Sequence, residues 1–308
     1  MITVNLMSRA GLSVLLCVLV SCASAQANDL LVLYGSSAIW RYNGSTGAHV
    51  GKFAVSSAFT MAYGSDTNLY VATRSNVARL DGQTGAFLNV FIPPINNALE
   101  PRPADMTFGA DGNLYVAGIS STSTNRGVWR YNGSTGQLID IFVRPTDPLS
   151  NPLGLAFGPD GNLYVSDGFN VDRYNGTTGA FIDHFAHGGG LERAKEVRFG
   201  PDGNLYVKAN SVLKFNGQTG AFISTLNTAD AFAFGPDGKE YAALAGSVDR
   251  YTLSGMFLDH LVIPGIGAPS FPGTMVFVPE PALMMLIAAV SILLMTRRRH
   301  LVGNIHSI

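Results

Sequence analysis

Two short units alternate along the middle of this chain, and they constrain its fold more than any other feature. The first unit occurs in three close and two weaker copies: FGADGNLYV (108–116), FGPDGNLYV (157–165), FGPDGNLYV (199–207), YGSDTNLYV (63–71) and FGPDGKEYA (234–242). A second unit, such as VWRYNGSTGQLI (128–139) or VDRYNGTTGAFI (171–182), follows each copy and occurs six times in all. A period of about 35 to 51 residues is typical of propellers, solenoids or tandem arrays.

Each repeat predicts four short strands. Residues around Leu-Tyr-Val and Arg-Tyr alternate apolar and polar and are rich in aromatic and β-branched side chains. Pro-Asp-Gly-Asn has the composition of a tight turn with Gly at positive φ, and Asn-Gly predicts a hairpin. Residues 154–185 then supply strands GLAFG, NLYVS, VDRYN and GAFIDHF, named a to d. Four-stranded sheets repeated radially form a β-propeller, so we predict an all-β fold of six antiparallel blades over residues 26–278.

The two ends of the repeat region predict how the ring closes. The first repeat has no strand a, because Leu30–Tyr34 has the pattern of strand b. At the other end, MVFVP (275–279) aligns with LAFGP (155–159) of a complete repeat. We therefore predict that Thr274–Val278 supplies strand a of blade one and pairs antiparallel with Leu30–Tyr34. This closure would remove two exposed strand edges.

The repeat motifs resemble those of the NHL-repeat family of six-bladed propellers, above all FGPDGNLYVSD (157–167) and VDRYNGTTGAF (171–181). The resemblance covers nearly all of residues 30–278. It implies the fold but not the function, because this architecture hosts binding proteins, hydrolases and lyases.

The N-terminal residues have the order of a secretory signal peptide. A charged start precedes an apolar run at 12–20, and Ala23-Ser24-Ala25 forms an A-x-A cleavage site, so residues 1–25 are predicted to be removed. The alternative is a bacterial lipobox, LVSC, which would make Cys22 a lipidated N-terminus. Because Cys17 and Cys22 are the two cysteines of the chain, the remaining domain has no thiol and must be stabilised by its core alone.

The C-terminal residues predict a short transmembrane helix within a sorting signal. Pro279, Glu280 and Pro281 precede the apolar segment 282–296, and Arg297, Arg298 and Arg299 follow it. The positive-inside rule places these arginines and the tail 301–308 in the cytoplasm. The order resembles the PEP-CTERM sorting signal, here residues 279–300. That resemblance implies a Gram-negative bacterium, an exosortase as partner, cleavage near the motif, and passage from the inner membrane to the cell surface or exopolysaccharide.

Loop variation predicts the face that binds a ligand. The a–b and c–d turns hardly change between repeats, whereas the d–a and b–c connections differ in length, and strand polarity places both of these at one face. The ligand-face candidates are Arg102, Asp105, Arg144, Asp167, His187, Arg193 and Glu196. Aligning strand a of the six repeats further predicts that six residues lie at the same depth in the central channel, which we call one level: Thr60, Asp105, Gly154, Glu196, Ala231 and Thr274.

The three carboxylates among the ligand-face candidates, Asp105, Asp167 and Glu196, are also candidate metal ligands at the channel mouth. Lactonase-type six-bladed propellers hold a divalent ion in the channel on such residues, and carboxylates suit that ion. The alternative is that they are solvated loop charges or caps of loop amides. His187-Gly188-Gly189-Gly190 is similar to the oxyanion loop of esterases, but the chain has no G-x-S-x-G to accompany it.

A cation recurs at one position of strand c: Arg41, Arg79, Arg130, Arg173, Lys214 and Arg250. Six copies cannot serve one active site, so we predict a structural role, with ion pairs to turn aspartates such as Asp111, Asp160 and Asp202. The Asn-Gly-Ser and Asn-Gly-Thr triplets at Asn43, Asn132 and Asn175 match the N-glycosylation pattern but are explained by the turn.

These patterns predict an exported, non-catalytic binding or scaffold protein of the cell surface or extracellular matrix. Its expected partners are the exosortase and export machinery, the membrane through the C-terminal segment, and extracellular polysaccharide or a surface protein. No basic stripe indicates nucleic-acid binding, and no cofactor is predicted. The alternative class is a metal-dependent lactonase-like hydrolase with its site in the central channel.

Overall fold

The computed structural model describes residues 28–73, 76–94, 101–120, 126–144, 149, 151–244, 246–263 and 272–279, with the backbone alone at 101, 102, 119 and 120. The predicted signal peptide, the apolar segment 282–296 and the arginines after it lie outside these ranges. Among the residues that are described, no helix is long and apolar enough to cross a membrane.

The described residues form six four-stranded antiparallel sheets, which are the six blades of a propeller. Blade one contains β1 (Asp29–Tyr34), β2 (Ala38–Asn43) and β3 (His49–Ala54). Blade two contains β4 (Ala58–Tyr63), β5 (Leu69–Thr73), β6 (Val77–Leu80) and β7 (Phe87–Ile92). Blade three contains β8 (Pro101–Phe108), β9 (Leu114–Ser120), β10 (Arg126–Tyr131) and β11 (Leu138–Val143).

The other three blades repeat this order from the inner strand a to the outer strand d. Blade four contains β12 (Gly154–Phe157), β13 (Leu163–Ser166), β14 (Asn170–Tyr174) and β15 (Phe181–His187). Blade five contains β16 (Glu196–Phe199), β17 (Leu205–Lys208), β18 (Val212–Phe215) and β19 (Phe222–Thr225). Blade six contains β20 (Ala231–Phe234), β21 (Glu240–Leu244), β22 (Ser247–Tyr251) and β23 (Phe257–Val262), and the last strand is β24 (Pro272–Phe277).

Strand β24 closes the ring as predicted. It is the inner strand of blade one, in the order β24-β1-β2-β3, and pairs antiparallel with β1. Phe277 lies opposite Leu30, and Met275 lies opposite Val32. The strand begins two residues earlier than predicted and ends before Val278, whose backbone N–H donates to Asp29 O at 2.8 Å.

One aspartate organises each a–b turn and explains the spacing of the D-G-N-L-Y motif. In blade four, Asp160 accepts hydrogen bonds from Asn162 N (3.1 Å), Asn162 Nδ2 (2.7 Å) and Tyr164 Oη (3.0 Å). Gly161 takes a φ of +77°, as the turn prediction required. The tyrosine–aspartate bond recurs at Asp66, Asp111, Asp202 and Asp237. The motif therefore fastens strand b to its own turn.

The tyrosine of the same motif also joins neighbouring blades. The Tyr164 ring makes edge contacts with Phe185 of its own blade (4.9 Å between centroids) and with Phe199 of the next blade (4.8 Å). At the seam, Tyr241 of blade six meets Phe277 of β24 at 4.8 Å. Such pairs contribute roughly 0.5–1.5 kcal/mol beyond the area that they bury. The last strand therefore completes the ring through side chains as well as backbone.

The c–d turns are hairpins, but their second glycine carries the left-handed conformation. In blade four, Asn175 Oδ1 accepts hydrogen bonds from the backbone N–H groups of Thr177 (3.0 Å) and Thr178 (2.9 Å). Gly179 has a φ of +74°, whereas Gly176 lies where a Cβ would be 1.8 Å from Gly161 O. The asparagine is therefore a turn cap, as predicted for these triplets.

The recurring cations of strand c form structural ion pairs, as predicted, but not all with turn aspartates. Lys214 pairs with Asp202 at 2.7 Å, and a longer contact of 3.9 Å joins Arg173 to Asp160. The prediction that Arg130 pairs with Asp111 was wrong. Its closest carboxylate is Asp140 at 2.5 Å, which lies directly opposite on strand d and is therefore nearer than the turn.

Arg173 and Arg250 make the same cross-strand contact, with Asp183 and Asp259 respectively, each at 2.5 Å. Arg41 pairs with Asp29 at 2.5 Å, and Arg79 lies 3.8 Å from Asp66. All six cations thus lie within 4 Å of a carboxylate. Pairs that are partly exposed contribute about 0–1 kcal/mol each.

Candidate ligand-binding face

Three of the six residues predicted at one level of strand a form, together with Leu155, a hydrogen-bonded belt across four of the six inner strands. Thr274 Oγ1 donates to Thr60 Oγ1 at 3.3 Å, and Thr60 Oγ1 donates to Asp105 Oδ1 at 3.0 Å. The other oxygen of Asp105 accepts from Leu155 N at 3.2 Å. The belt therefore joins the inner strands of blades one, two, three and four. Asp105 is its central acceptor, since it bonds to both neighbouring blades.

The environment of Asp105 sets its charge. Burial raises the pKa of Asp105 to about 6, Glu196 adds to that rise, and the positive charge of Arg198 opposes it. The backbone N–H of Met106 also donates to Asp105 Oδ1 at 2.9 Å. Asp105 is thus ionised above pH 6 and lies in the electrostatic field of Arg198.

Arg198 is the functional candidate that the sequence analysis missed. Its Nε donates to Glu196 Oε1 at 2.8 Å, and a second contact joins its Nη2 to the same oxygen. Burial opposes the charge, but Glu196 and Asp105 together hold the pKa of Arg198 above its ordinary value. The Arg198 side chain keeps 28% of its surface exposed. The guanidinium is therefore oriented by Glu196, lies in the field of Asp105 and is still partly open to water.

Alignment of strand a contained the signal for Arg198. Two residues after the predicted level on each inner strand lies a second set of aligned residues: Ala62, Thr107, Ala156, Arg198, Ala233 and Val276. Residues two apart share one side of a strand. Arg198 is therefore the single charged side chain of that second level, among small or apolar neighbours.

Asp167 does not join the other two carboxylates. Its Oδ1 accepts from the backbone N–H groups of Phe169 (2.9 Å) and Asn170 (2.7 Å), so it caps its own b–c turn. Within the described ranges, no group of three or more His, Cys, Asp or Glu side chains is arranged to hold a metal ion.

Arg144 and Arg193 lie on the variable connections, whereas Arg102 and His187, which were predicted there, belong to strands β8 and β15. Arg144, His187 and Arg193 are exposed, and Arg193 has a φ of +63°. The backbone of Arg102 lies in β8 opposite Ile119. Two exposed aromatic residues that the sequence analysis did not select also lie at this face: Phe59, 41% exposed, and Phe169, 69% exposed. The face therefore combines charges of both signs with aromatic surface.

Comparisons with known proteins show the fold alone. No protein-family model and no curated protein matches the sequence. A protein of unknown function from Bacteroides caccae is similar in structure, with a TM-score of 0.60 and 12% identity over 82% of this chain and 99% of that chain.

Two enzymes share the architecture. A gluconolactonase from Xanthomonas campestris has a TM-score of 0.51 and 17% identity over 74% of this chain and 84% of that chain. Virginiamycin B lyase from Staphylococcus aureus has a TM-score of 0.50 and 14% identity over 68% of this chain and 71% of that chain. Because one architecture carries different activities, the function of this chain must be argued from its own residues.

Proposed function

We propose that this protein is an exported, non-catalytic binding or scaffold protein of the cell surface or the extracellular polysaccharide. The observation that carries the proposal is Arg198 on the inner strand β16, which is oriented by Glu196 and lies in the electrostatic field of Asp105. The belt from Thr274 to Leu155 ties together the inner strands of four blades beside it. A pre-organised, partly exposed guanidinium on a rigid scaffold is suited to binding rather than to bond cleavage.

The chemistry of the face favours an acidic saccharide as ligand. A guanidinium group can bind a carboxylate through two parallel hydrogen bonds. Sugar rings present faces of C–H groups, and packing these against Phe59 or Phe169 would bury apolar surface from both partners. An acidic polysaccharide supplies both groups, in agreement with the extracellular destination proposed for the chain.

Replacing Arg198 with glutamine should weaken binding of an acidic polysaccharide about tenfold or more, since a charge-assisted hydrogen bond contributes about 1.5–3 kcal/mol. Titration calorimetry of the purified protein with acidic and neutral polysaccharides measures the effect. Arg250→Gln is the matched control, because Arg250 pairs with Asp259 on an outer strand and should leave the affinity unchanged. Equal affinity of Arg198→Gln and wild type would contradict the proposed site.

The same preparation tests the hydrolase alternative. Metal analysis and a screen of lactone substrates would support a lactonase-like enzyme if a stoichiometric divalent ion and turnover were found together and both were lost in Asp105→Asn. Binding of polysaccharide without either would support the binding protein.

Export is proposed to depend on Pro279-Glu280-Pro281. Replacing this triplet with alanines should hold the full-length protein in the inner membrane, because the exosortase would no longer recognise its signal. Cell fractionation followed by immunoblotting measures the outcome. Alanine at Pro159 and Pro201 also removes two prolines, here from a–b turns, and should not alter delivery. Surface delivery of the triplet variant at the wild-type level would refute the assignment.

A further inference from the structure

A cavity of about 550 Å³ lies between blades one and two, away from the channel. Its apolar walls include Val71, Ala78 and Leu80 of blade two, and Ser56, Thr73 and Asn76 supply polar groups. Val71 and Leu80 are buried at its inner side, whereas Ser56, Phe87 and Val90 are exposed, so the cavity opens to solvent on one side. The volume lies in the range of about 300–1,000 Å³ that is typical of small-molecule pockets.

The repeat shows what is missing from this space. Ala78 lies in the middle of strand c, opposite Val71 on strand b and Val90 on strand d. Equivalent positions of the other blades carry larger side chains: Trp40, Trp129, Asp172, Leu213 and Asp249. The two aspartates extend across to strand d, where each lies 2.7 Å from a histidine ring nitrogen.

Blade three supplies the most direct comparison. Trp129 is fully buried opposite Val116 and packs in one cluster with Phe91 and Ile92 of the preceding blade. Its indole therefore fills, between blades two and three, the space that Ala78 leaves open between blades one and two. The space beside Ala78 lacks the indole that Trp129 supplies in the next blade, and its preceding-blade side is formed by small residues such as Ala54 and Ser56, which leaves room for a planar aromatic ring.

The wall opposite Ala78 is held in place rather than able to collapse. Ser57 has a φ of +55°, a left-handed conformation that is uncommon for a residue with a side chain. Hydrogen bonds from Val55 N to Ser37 O (3.0 Å) and from Ala58 N to Ser36 O (3.1 Å) fix this connection to the b–c turn of blade one. Strained backbone of this kind concentrates at ligand sites.

We propose that the cavity between blades one and two binds a small planar aromatic molecule of about the size of indole, with one polar substituent. The ring would pack against Val71, Ala78 and Leu80, and the substituent would reach the polar groups of Ser56 or Asn76. The site is distinct from the saccharide face proposed above, and it stands whether or not that face binds sugar.

The test uses indole as the probe and the intact purified protein. Saturable binding by titration calorimetry is expected, with magnetisation transfer in NMR from indole protons to methyl groups of Val71 and Leu80. Ala78→Trp should abolish binding and keep or raise the melting temperature. Ala78→Leu, which copies Leu213 of blade five, should weaken binding at least tenfold. Ala180→Trp, in an exposed turn of blade four, is the matched control and should bind as wild type.

Three results would overturn the proposal. Indole binding that both Ala78 variants leave unchanged, or no binding at millimolar indole, would show that the cavity is not its site. Equal affinity for a non-aromatic ring such as cyclohexanol would remove the preference for a planar ring. Binding of a tryptophan-containing peptide but not of free indole would assign the cavity to a protein partner instead of a small molecule.

Discussion

Removing strand β24 is expected to abolish cooperative folding of the whole propeller. The strand supplies the inner edge of blade one, and its Met275 is fully buried while Phe277 packs against Tyr241 of blade six. Without it, β1 loses its ladder partner and the interface between blades six and one loses its aromatic contact. Truncating Met275 alone to alanine should cost about 2–5 kcal/mol of unfolding free energy. Loss of the complete strand should exceed that cost.

Two truncated chains isolate the effect of the strand. One ends after Pro279 and keeps β24, and the other ends after Ile263 and lacks it. Urea denaturation followed by tryptophan fluorescence should show one cooperative transition for the longer chain and none for the shorter. A synthetic peptide of residues 271–279 should restore part of the transition when added to the shorter chain. Coincident denaturation curves for the two chains would show that ring closure contributes nothing to stability.

Closure could be predicted because it depends on local pattern and topology. The first repeat lacks strand a and one strand is left over at the end of the last repeat. The final segment MVFVP can therefore complete the first blade at the position that LAFGP occupies in a full repeat. The same alignment placed Thr60, Asp105 and Thr274 at one level, and the structure joins them by hydrogen bonds. In a repeat protein, residues at the same position of the repeat occupy equivalent positions in the blades. The alignment can therefore predict the strand to which a residue belongs and its depth in the channel.

The partners of individual side chains could not be predicted in the same way. Asp105 uses Thr60 and the backbone of Leu155, a contact that depends on the distance between inner strands. Arg130 pairs with Asp140 because the register of strands c and d places the two residues directly opposite each other. Asp167 bonds to its own turn although it adjoins the channel level in the alignment. These partners depend on the register and spacing of the folded strands, which the motifs do not specify.

Departures from the repeat were more informative than the repeat itself. Ala78 replaces a larger residue and lies beside a cavity, and Arg198 is a charged residue among small or apolar neighbours in the channel. Glu240 is a third exception, a carboxylate at a position where the other blades have leucine. Glu240 is fully buried at the position where the other blades have Leu30, Leu69, Leu114, Leu163 and Leu205, each of them also fully buried. Leucine at that position supports the blade interface through apolar packing alone. A carboxyl group in its place must instead satisfy its oxygens.

The oxygens of Glu240 are only half satisfied. Asn227 Nδ2 donates to Oε1 at 2.9 Å, whereas Glu240 Oε2 and Asn227 Oδ1 have no hydrogen-bond partner among the residues that the structure describes. Burial raises the pKa of Glu240 to about 7, and the Asn227 hydrogen bond and the charge of Lys214 offset only part of that rise. The folded protein therefore holds a proton on Glu240 up to near-neutral pH.

This raised pKa makes stability fall as the pH rises. Below the ordinary value of 4.5 the carboxyl is protonated in both the folded and the unfolded chain, so it has no effect on the pH dependence. Between pH 4.5 and about 7 the unfolded chain loses the proton while the folded chain keeps it, and the free energy of unfolding decreases. The difference between pKa values of 4.5 and about 7 amounts to roughly 3 kcal/mol, at about 1.4 kcal/mol for each pH unit.

Glu240→Leu should therefore raise the free energy of unfolding by about 3 kcal/mol more at pH 8 than at pH 4. Glu240→Gln is the matched control: it has the same shape and cannot ionise, so it should lose the same pH dependence without gaining the apolar packing of leucine. Asp105 also has a raised pKa and contributes a dependence of the same sign, so the difference between variant and wild type is the quantity to compare. Urea denaturation at pH 4, 6 and 8 measures it. If the curves of wild type and both variants run parallel across this range, Glu240 is ionised in the folded protein, and its buried charge must then be balanced by a contact other than Asn227.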